Sequence, residues 1–231
     1  MMKYGMRTAK RLILSILVFI LLTLHWNLNG TPWGKAKCLF ECQAYIRDVF
    51  PFPVKIQRIV YSLETDDYQA LCYPTNAPEA TFWIGHLSFS ESLENDFHLS
   101  KWKLQIEEFY SAAFPSFDIS VSVTDASSQV FTYTLFYPTV EEIPDIFDLQ
   151  DTSFLNLRFS IIINKSFQEV DKDLLDSLYE LFFQITQTFP ADQIPPERSF
   201  TIYWSDHTTY FLNNWKEKTV NKETFLLLLK E

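Results

Sequence analysis

Apolar positions along this chain fall into three patterns. From Leu12 to Leu24 they run as 13 residues without a charge (LILSILVFILLTL). From about Lys35 to Phe50 they recur every three or four residues, at Leu39, Cys42, Ile46 and Val49, which predicts an amphipathic helix stopping at Phe50-Pro51. From Val54 to Leu63 and from Tyr68 to Tyr73 they alternate, which predicts a hairpin turning at Glu64-Thr65-Asp66-Asp67, with a third strand from about Thr81 to Phe89.

The same order returns. A helix from about Ser100, with Trp102, Ile106, Phe109 and Ala113 on one stripe, stops at Phe114-Pro115. A hairpin follows from Phe117 to Thr124 and Gln129 to Tyr137, and a third strand runs from Phe154 to Ile163. Pro51 to Pro115 and Tyr73 to Tyr137 are both 64 residues apart, and Leu71-Cys72-Tyr73-Pro74-Thr75 matches Leu135-Phe136-Tyr137-Pro138-Thr139. Only six of 31 aligned positions are identical, so the repeat is one of element order. A third, truncated unit has a helix capped by Asp171, with Leu174, Leu175, Leu178, Phe182, Ile185 and Phe189 on one side. After it come a hairpin from Arg198 to Trp204 and Thr208 to Leu212 and a short Leu-rich helix from Asn221. Phe117, Ile119, Val121 and Val123 alternate with Asp118, Ser120, Ser122 and Thr124, as in a sheet with one buried and one wet face. The fold class expected is α+β: an N-terminal transmembrane helix, then tandem αβββ-type units whose antiparallel sheets are covered by helices on one face. The expected divisions are 1–27 for the anchor, 31–97 for the first unit, and 98–231 for the second unit with the truncated αββα unit.

Charge gives the apolar run its meaning. Lys3, Arg7, Lys10 and Arg11 precede it, and no acidic residue appears before Glu41. A basic flank before uncharged hydrocarbon stays on the cytoplasmic side, so the body of the chain is expected outside the cytoplasm. Thirteen residues fit the core of a signal peptide, about 7–15 long. Tyr4, Met6, Ala9, His25 and Trp26 extend the stretch towards spanning length, and Gly34-Lys35-Ala36, the nearest cleavage-like site, lies well beyond Leu24. The reading is therefore an uncleaved single-pass anchor touching lipid through residues 4–26. Without the four basic leader residues the chain keeps 15 Lys and Arg against 29 Asp and Glu, a surface that repels nucleic acid.

The asparagine and glycine near the end of the anchor begin Asn29-Gly30-Thr31-Pro32-Trp33-Gly34-Lys35. With a helix bearing Tyr45-Ile46 and ending at Pro51, and a hairpin carrying Tyr61 and Tyr68, this resembles the YfjL-like membrane proteins of Gram-positive bacteria over roughly the first 90 residues. The cysteines and the low charge of the first helix depart from that family. The resemblance implies a location and a fold and supplies no catalytic residue.

Candidate chemistry is sparse. Of four glycines only Gly85 lies beyond residue 34, so phosphate-cradling loops, the dinucleotide fingerprint and the Gly-x-Ser-x-Gly elbow are absent. Ser100-Lys101-Trp102-Lys103, with Ser205-Asp206-His207 and Lys218-Thr219, imitates the order of penicillin-recognising enzymes but lacks their glycine, since Val220 stands in its place. Ser100 reads as a helix N-cap instead. Asp206 and His207 could pair with Ser205 or Ser199 as a nucleophile set, but both sit in a tight turn that favours such residues for backbone reasons. His86 lies within a strand beside Phe82 and Ile84, and His25 and His98 flank helices. Glu141, Glu142, Asp145, Asp148 and Asp151 form an acidic loop without a calcium-loop glycine. Asn29-Gly30-Thr31 and Asn164-Lys165-Ser166 are glycosylation sequons with meaning only in a eukaryotic secretory pathway. Cys38 and Cys42 share a helix face and could approach Cys72, which reads as buried thiols or one disulfide.

No catalytic, cofactor-binding or metal-binding residue is assigned, and no cofactor is expected. The expected function is a non-enzymatic, membrane-anchored scaffold for a protein or peptide partner, with unpaired sheet edges for strand addition. The alternatives are a cell-wall-active hydrolase built on Asp206 and His207 or the acidic loop, and a carbohydrate-binding module using Trp83, Tyr133, Tyr203 and Trp204.

Overall fold

The computed structural model describes residues 2–63, 65–86, 92–125, 140–149, 152, 154–166, 168, 171–189, 198–213, 222, 223 and 225, with side chains from Leu14 onward except at 125 and 211–213. The chain is α+β, with an N-terminal apolar helix and two sheets that are mostly antiparallel. It divides into two compact units, residues 1–95 and 96–231.

In the first unit, helix α1 (Met2–Asn29) gives way at Gly30 and Thr31 to α2 (Pro32–Val49). Gly30 has φ +71, a left-handed conformation that favours glycine. Thr31 then caps α2 by accepting from the Gly34 N–H at 3.1 Å, and Pro32 occupies the first helical turn, where a missing N–H costs nothing. The helix therefore begins three residues before the position expected from apolar spacing. Strands β1 (Val54–Ser62), β2 (Asp67–Pro74), β3 (Phe82–Gly85) and β4 (Glu94–Asn95) follow in an antiparallel sheet of order β1-β2-β3-β4. Cys38, Cys42, Phe50, Ala70, Cys72, Phe82 and Ile84 are buried in this unit.

A β-bulge sets the two faces of β1. Ile56 pairs with Cys72, while Arg58 pairs with Leu71 and Ile59 with Ala70, so Gln57 is the extra residue. Ala70 and Cys72 share a face, hence Ile56 and Ile59, three apart, also share it. Lys55, opposite Tyr73, and Arg58 lie together on the other face. Without the extra residue, Ile56 and Ile59 would point opposite ways.

In the second unit, α3 (Phe97–Ala113) starts a turn earlier than its apolar spacing suggests, with Asp96 at the cap position. Ser100 thus lies inside the helix and is not its N-cap. The buried stripe is Phe97, His98, Trp102, Ile106 and Tyr110. Phe109 and Ala113 are exposed because the stripe advances by steps of four from Trp102. The exposed Phe109 ring instead packs against Phe147 at 4.7 Å between centroids.

Strand β5 (Asp118–Asp125) pairs directly with β6 (Leu155–Ile163), in register from Asp118–Ile162 to Asp125–Leu155. The expected strand Gln129–Tyr137, the Pro138-Thr139 that ends it, and most of the closing Leu-rich helix lie outside the described residues. Along β5, Phe117, Ile119, Val121 and Val123 are buried and the residues between them are exposed, as the alternation requires.

Helix α4 (Lys172–Thr188) connects β6 to β7 (Arg198–Trp204), and β8 (Thr209–Asn213) completes the order β5-β6-β7-β8. The β6–β7 pair is parallel, which departs from the antiparallel sheets expected. Parallel neighbours need a long crossover, and α4 is that connection, so the strands expected of a separate truncated unit continue the sheet of β5 and β6. Asp171 caps α4 by accepting from the Leu174 N–H at 2.8 Å. Phe159 and Phe200 are paired across β6 and β7. The first meets the Tyr110 ring of α3 at 6.1 Å, and the second meets the Phe182 ring of α4 at 5.4 Å.

Candidate functional site

Sequence candidates for chemistry are dispersed and tied into structure. Asp206 accepts from Ser166 Oγ at 2.8 Å and from the Thr208 N–H at 3.1 Å, which fixes the turn between β7 and β8. His207 is exposed there at φ +65. Ser199 is buried near the other end of β7, six residues and about 20 Å of extended chain from Ser205. The penicillin-enzyme imitation also fails: Lys103 pairs with Glu107 at 3.0 Å, and Lys101 donates to the Ile143 carbonyl at 2.7 Å.

Of the acidic loop, Asp145 caps a short turn at Ile146–Asp148 and accepts from Gln105 Nε2 at 2.9 Å. Glu141, Glu142 and Asp148 are exposed, and Asp151 lies outside the described residues. Among the described residues no group of three His, Cys, Asp or Glu side chains is placed to hold a metal. Trp204 is buried while its neighbour Tyr203 is exposed, so the two cannot share an aromatic platform; Tyr133 lies outside the described residues. His86 follows β3 and is half-buried, and His98 is buried with its ring edge-on to Trp102 at 5.1 Å. In the last turn of α1, His25 Nδ1 lies 3.3 Å from Asn29 Nδ2.

The three cysteines are free and buried. Cys38 and Cys42 Sγ lie 3.7 Å apart, one turn apart on α2. The hydrogen bond between the two thiols, together with burial, raises Cys42 well above its ordinary range, and the same bond lowers Cys38. Both side chains are buried, at 5% and 0% exposure, which is the setting of structural thiols.

Two features of the first unit have the character of a site. One is the junction between α1 and the sheet. The Tyr68 hydroxyl of β2 accepts from the Thr31 N–H at 2.6 Å and lies 3.1 Å from Thr31 Oγ1. Its ring rests against Gly30 and Gly34, where added Cβ atoms would come within 2.6 Å and 2.4 Å of it, and beside Tyr61 at 5.1 Å. The Tyr61 hydroxyl donates to Asp66, which raises the phenol. Thus the sequence Gly30-Thr31-Pro32-Trp33-Gly34 forms a cradle for one tyrosine ring, and α1 is held to the sheet at that point.

The other is a groove of about 1050 Å³ between α2 and β1. Leu39, Phe40 and Ile46 of α2 and Val54, Ile56 and Ile59 of β1 supply its apolar lining. Phe40 is 70% exposed, and none of the nine residues of edge strand β1 is buried. Lys35 and Arg47 from α2 and Lys55 and Arg58 from β1 also line it, and no carboxylate does. None of the four is in an ion pair with a described carboxylate. A wholly cationic border is unexpected on a chain with a formal charge of −10. Sequence reading missed this groove, because its cations are spread over 24 residues and meet only when α2 folds onto β1.

Compared with known proteins, the chain matches no family model, no curated protein and no solved structure.

Proposed function

We propose that this chain is a single-pass protein of the cell membrane, its N-terminus cytoplasmic and its α+β units outside, acting as a non-enzymatic scaffold for a protein or peptide partner. The surface of α1 carries the membrane part of the reading. Ten large apolar side chains between Leu14 and Leu28 are 43–67% exposed, among them Phe19 at 67% and Leu14 at 60%. Leaving them in water would cost on the order of 10 kcal/mol, which lipid removes. At 28 residues α1 extends about 42 Å, more than the roughly 30 Å of a bilayer's hydrocarbon core, and it is apolar enough to cross it. The basic residues before Leu12 support the orientation. Membership among YfjL-like proteins of Gram-positive bacteria would place the chain at the same location.

The scaffold part rests on the open groove and on the structural employment of the titratable groups tested above. The tandem reading, helix then strands in each unit with helices over one sheet face, fits a recognition protein whose modules present edges. Protease added to intact spheroplasts should digest the units while sparing α1; complete protection would overturn the orientation. In-cell crosslinking followed by affinity purification should capture a stoichiometric partner. Turnover of a wall substrate by the purified chain would overturn the scaffold reading.

A further inference from the structure

We infer that the groove between α2 and β1 takes an extended peptide segment in which apolar and acidic residues alternate, added as a fifth strand along β1; this rests on the scaffold reading. β1 is an edge strand in the described sheet, so its outer row of backbone N–H and C=O groups faces no neighbouring strand. An added strand projects side chains alternately to the two faces of the sheet. On the face towards α2 they would meet Ile56, Ile59, Leu39 and Ile46, an apolar lining left half-covered. On the opposite face they would meet Lys55 and Arg58, which the bulge at Gln57 brings together at the sheet edge, where the same two side chains also border the groove. Opposite charges on neighbouring strands attract and like charges repel. The pattern that satisfies both faces is therefore period-two: apolar inward, carboxylate outward.

The same charges select against a second copy. Antiparallel pairing of β1 with β1 would set Lys55 and Arg58 among their own duplicates and bury nothing that neutralises them. Lys35 and Arg47 at the α2 lip extend the cationic border along the groove, so an acidic segment is attracted before it docks. An anionic lipid headgroup shares the charge but has no row of amides to pair with the β1 backbone.

The probe is a fluorescent peptide of about eight residues, close to the length of β1, alternating valine and glutamate. It is titrated by anisotropy against the full-length protein in zwitterionic-lipid nanodiscs. Saturable binding should weaken by about tenfold or more in the Lys55→Glu/Arg58→Glu variant and weaken with salt. It should be lost when alternate peptide amides are N-methylated, a readout that charge attraction alone would not move. Equal binding of the valine–lysine counterpart, or indifference to both charge reversal and N-methylation, would overturn the proposal. So would a requirement for anionic lipid in the disc, or self-association that competes with the peptide.

To separate this from the scaffold reading, a photo-crosslinking residue is placed in cells at Gln57 and, separately, at the exposed Phe183. A partner captured at 57 supports the groove. A partner captured only at 183 sinks the groove and leaves the scaffold standing; a valine–glutamate peptide that binds while cells yield no partner at either position sinks the scaffold alone.

Discussion

Replacing Gly34 with alanine sets two effects of opposite sign against each other. Alanine in a helix is favoured over glycine by about 1 kcal/mol, so on propensity alone the variant should be more stable. Against that, the new Cβ would lie 2.4 Å from Tyr68 Cζ and Oη and 2.5 Å from Cε2. Relief requires the ring to withdraw by about 1 Å to reach ordinary contact near 3.5 Å. The ring has little slack, because its hydroxyl is held by Thr31 at 2.6 Å and its face by Tyr61. Withdrawal leaves the Thr31 N–H without its acceptor, at about 1–3 kcal/mol, and loosens a ring pair of about 0.5–1.5 kcal/mol. The collision wins, and Gly34→Ala should lose about 2 kcal/mol net. For a unit of this size that lowers Tm by about 8–16 °C. The assay is thermal unfolding of the detergent-solubilised full chain by circular dichroism. In the Tyr68→Ala background the ring is gone, so adding Gly34→Ala should be neutral or stabilising by up to about 1 kcal/mol. A higher Tm for Gly34→Ala in the wild-type background would refute the reasoning.

Tyr110 is buried between α3 and the sheet, and its phenol is pushed up to about 12 by desolvation. A raised acid favours the folded state below pH 10 and loses that contribution as pH climbs from 10 to 12, so stability should fall on the order of 2–3 kcal/mol further in wild type than in Tyr110→Phe, measured by urea unfolding across that range. Arg198 is fully buried and holds the Thr152 carbonyl at 2.7 Å and the Leu155 carbonyl, with burial lowering its guanidinium to about 10; Arg198→Ala should cost about 3–5 kcal/mol in the same unfolding assay, whereas a loss under about 1 would show those carbonyls find other donors. Cys38, Cys42 and Cys72 should react with a thiol reagent only after denaturation, all three then titrating; rapid modification of the native chain would contradict their burial.

Much of the fold was legible because period and punctuation agree. The Phe-Pro stops at Phe50, Phe114 and Phe189 mark the helix ends, and the alternation from Phe117 to Thr124 matches the burial of β5 residue by residue. What misled was local. In α3, Phe109 and Tyr110 are both aromatic, and only the sheet opposite decides that Tyr110 faces Phe159 while Phe109 turns outward. The parallel pairing of β6 with β7 is likewise invisible in either strand, since a short apolar run such as Ile161 to Ile163 fits both pairings. The groove was hidden for a third reason: it depends on a one-residue bulge, and Val54-Lys55-Ile56-Gln57-Arg58-Ile59 reads simply as an imperfect alternation.

That imperfection and the glycines of the junction point to one design. Tyr68 holds the end of α1 through Thr31, and the neighbouring β1 carries the bulge that forms the groove, so α1 and the groove are joined through a single two-stranded ladder. Trp26 at the end of α1 packs edge-on against Trp33 in the first turn of α2, with ring centroids 5.3 Å apart, which resists bending where the helices meet. A groove on a flexible stalk would sample every orientation. Under the proposed membrane location, a groove fixed to α1 by a tyrosine clasp and a tryptophan pair would hold its cationic lip at a set angle to the bilayer and so restrict the approach of an extended segment. Loosening the clasp with Tyr68→Ala should therefore weaken capture of a membrane-bound partner more than it weakens binding of the free valine–glutamate peptide. Equal losses in both assays would show that Tyr68 serves folding alone.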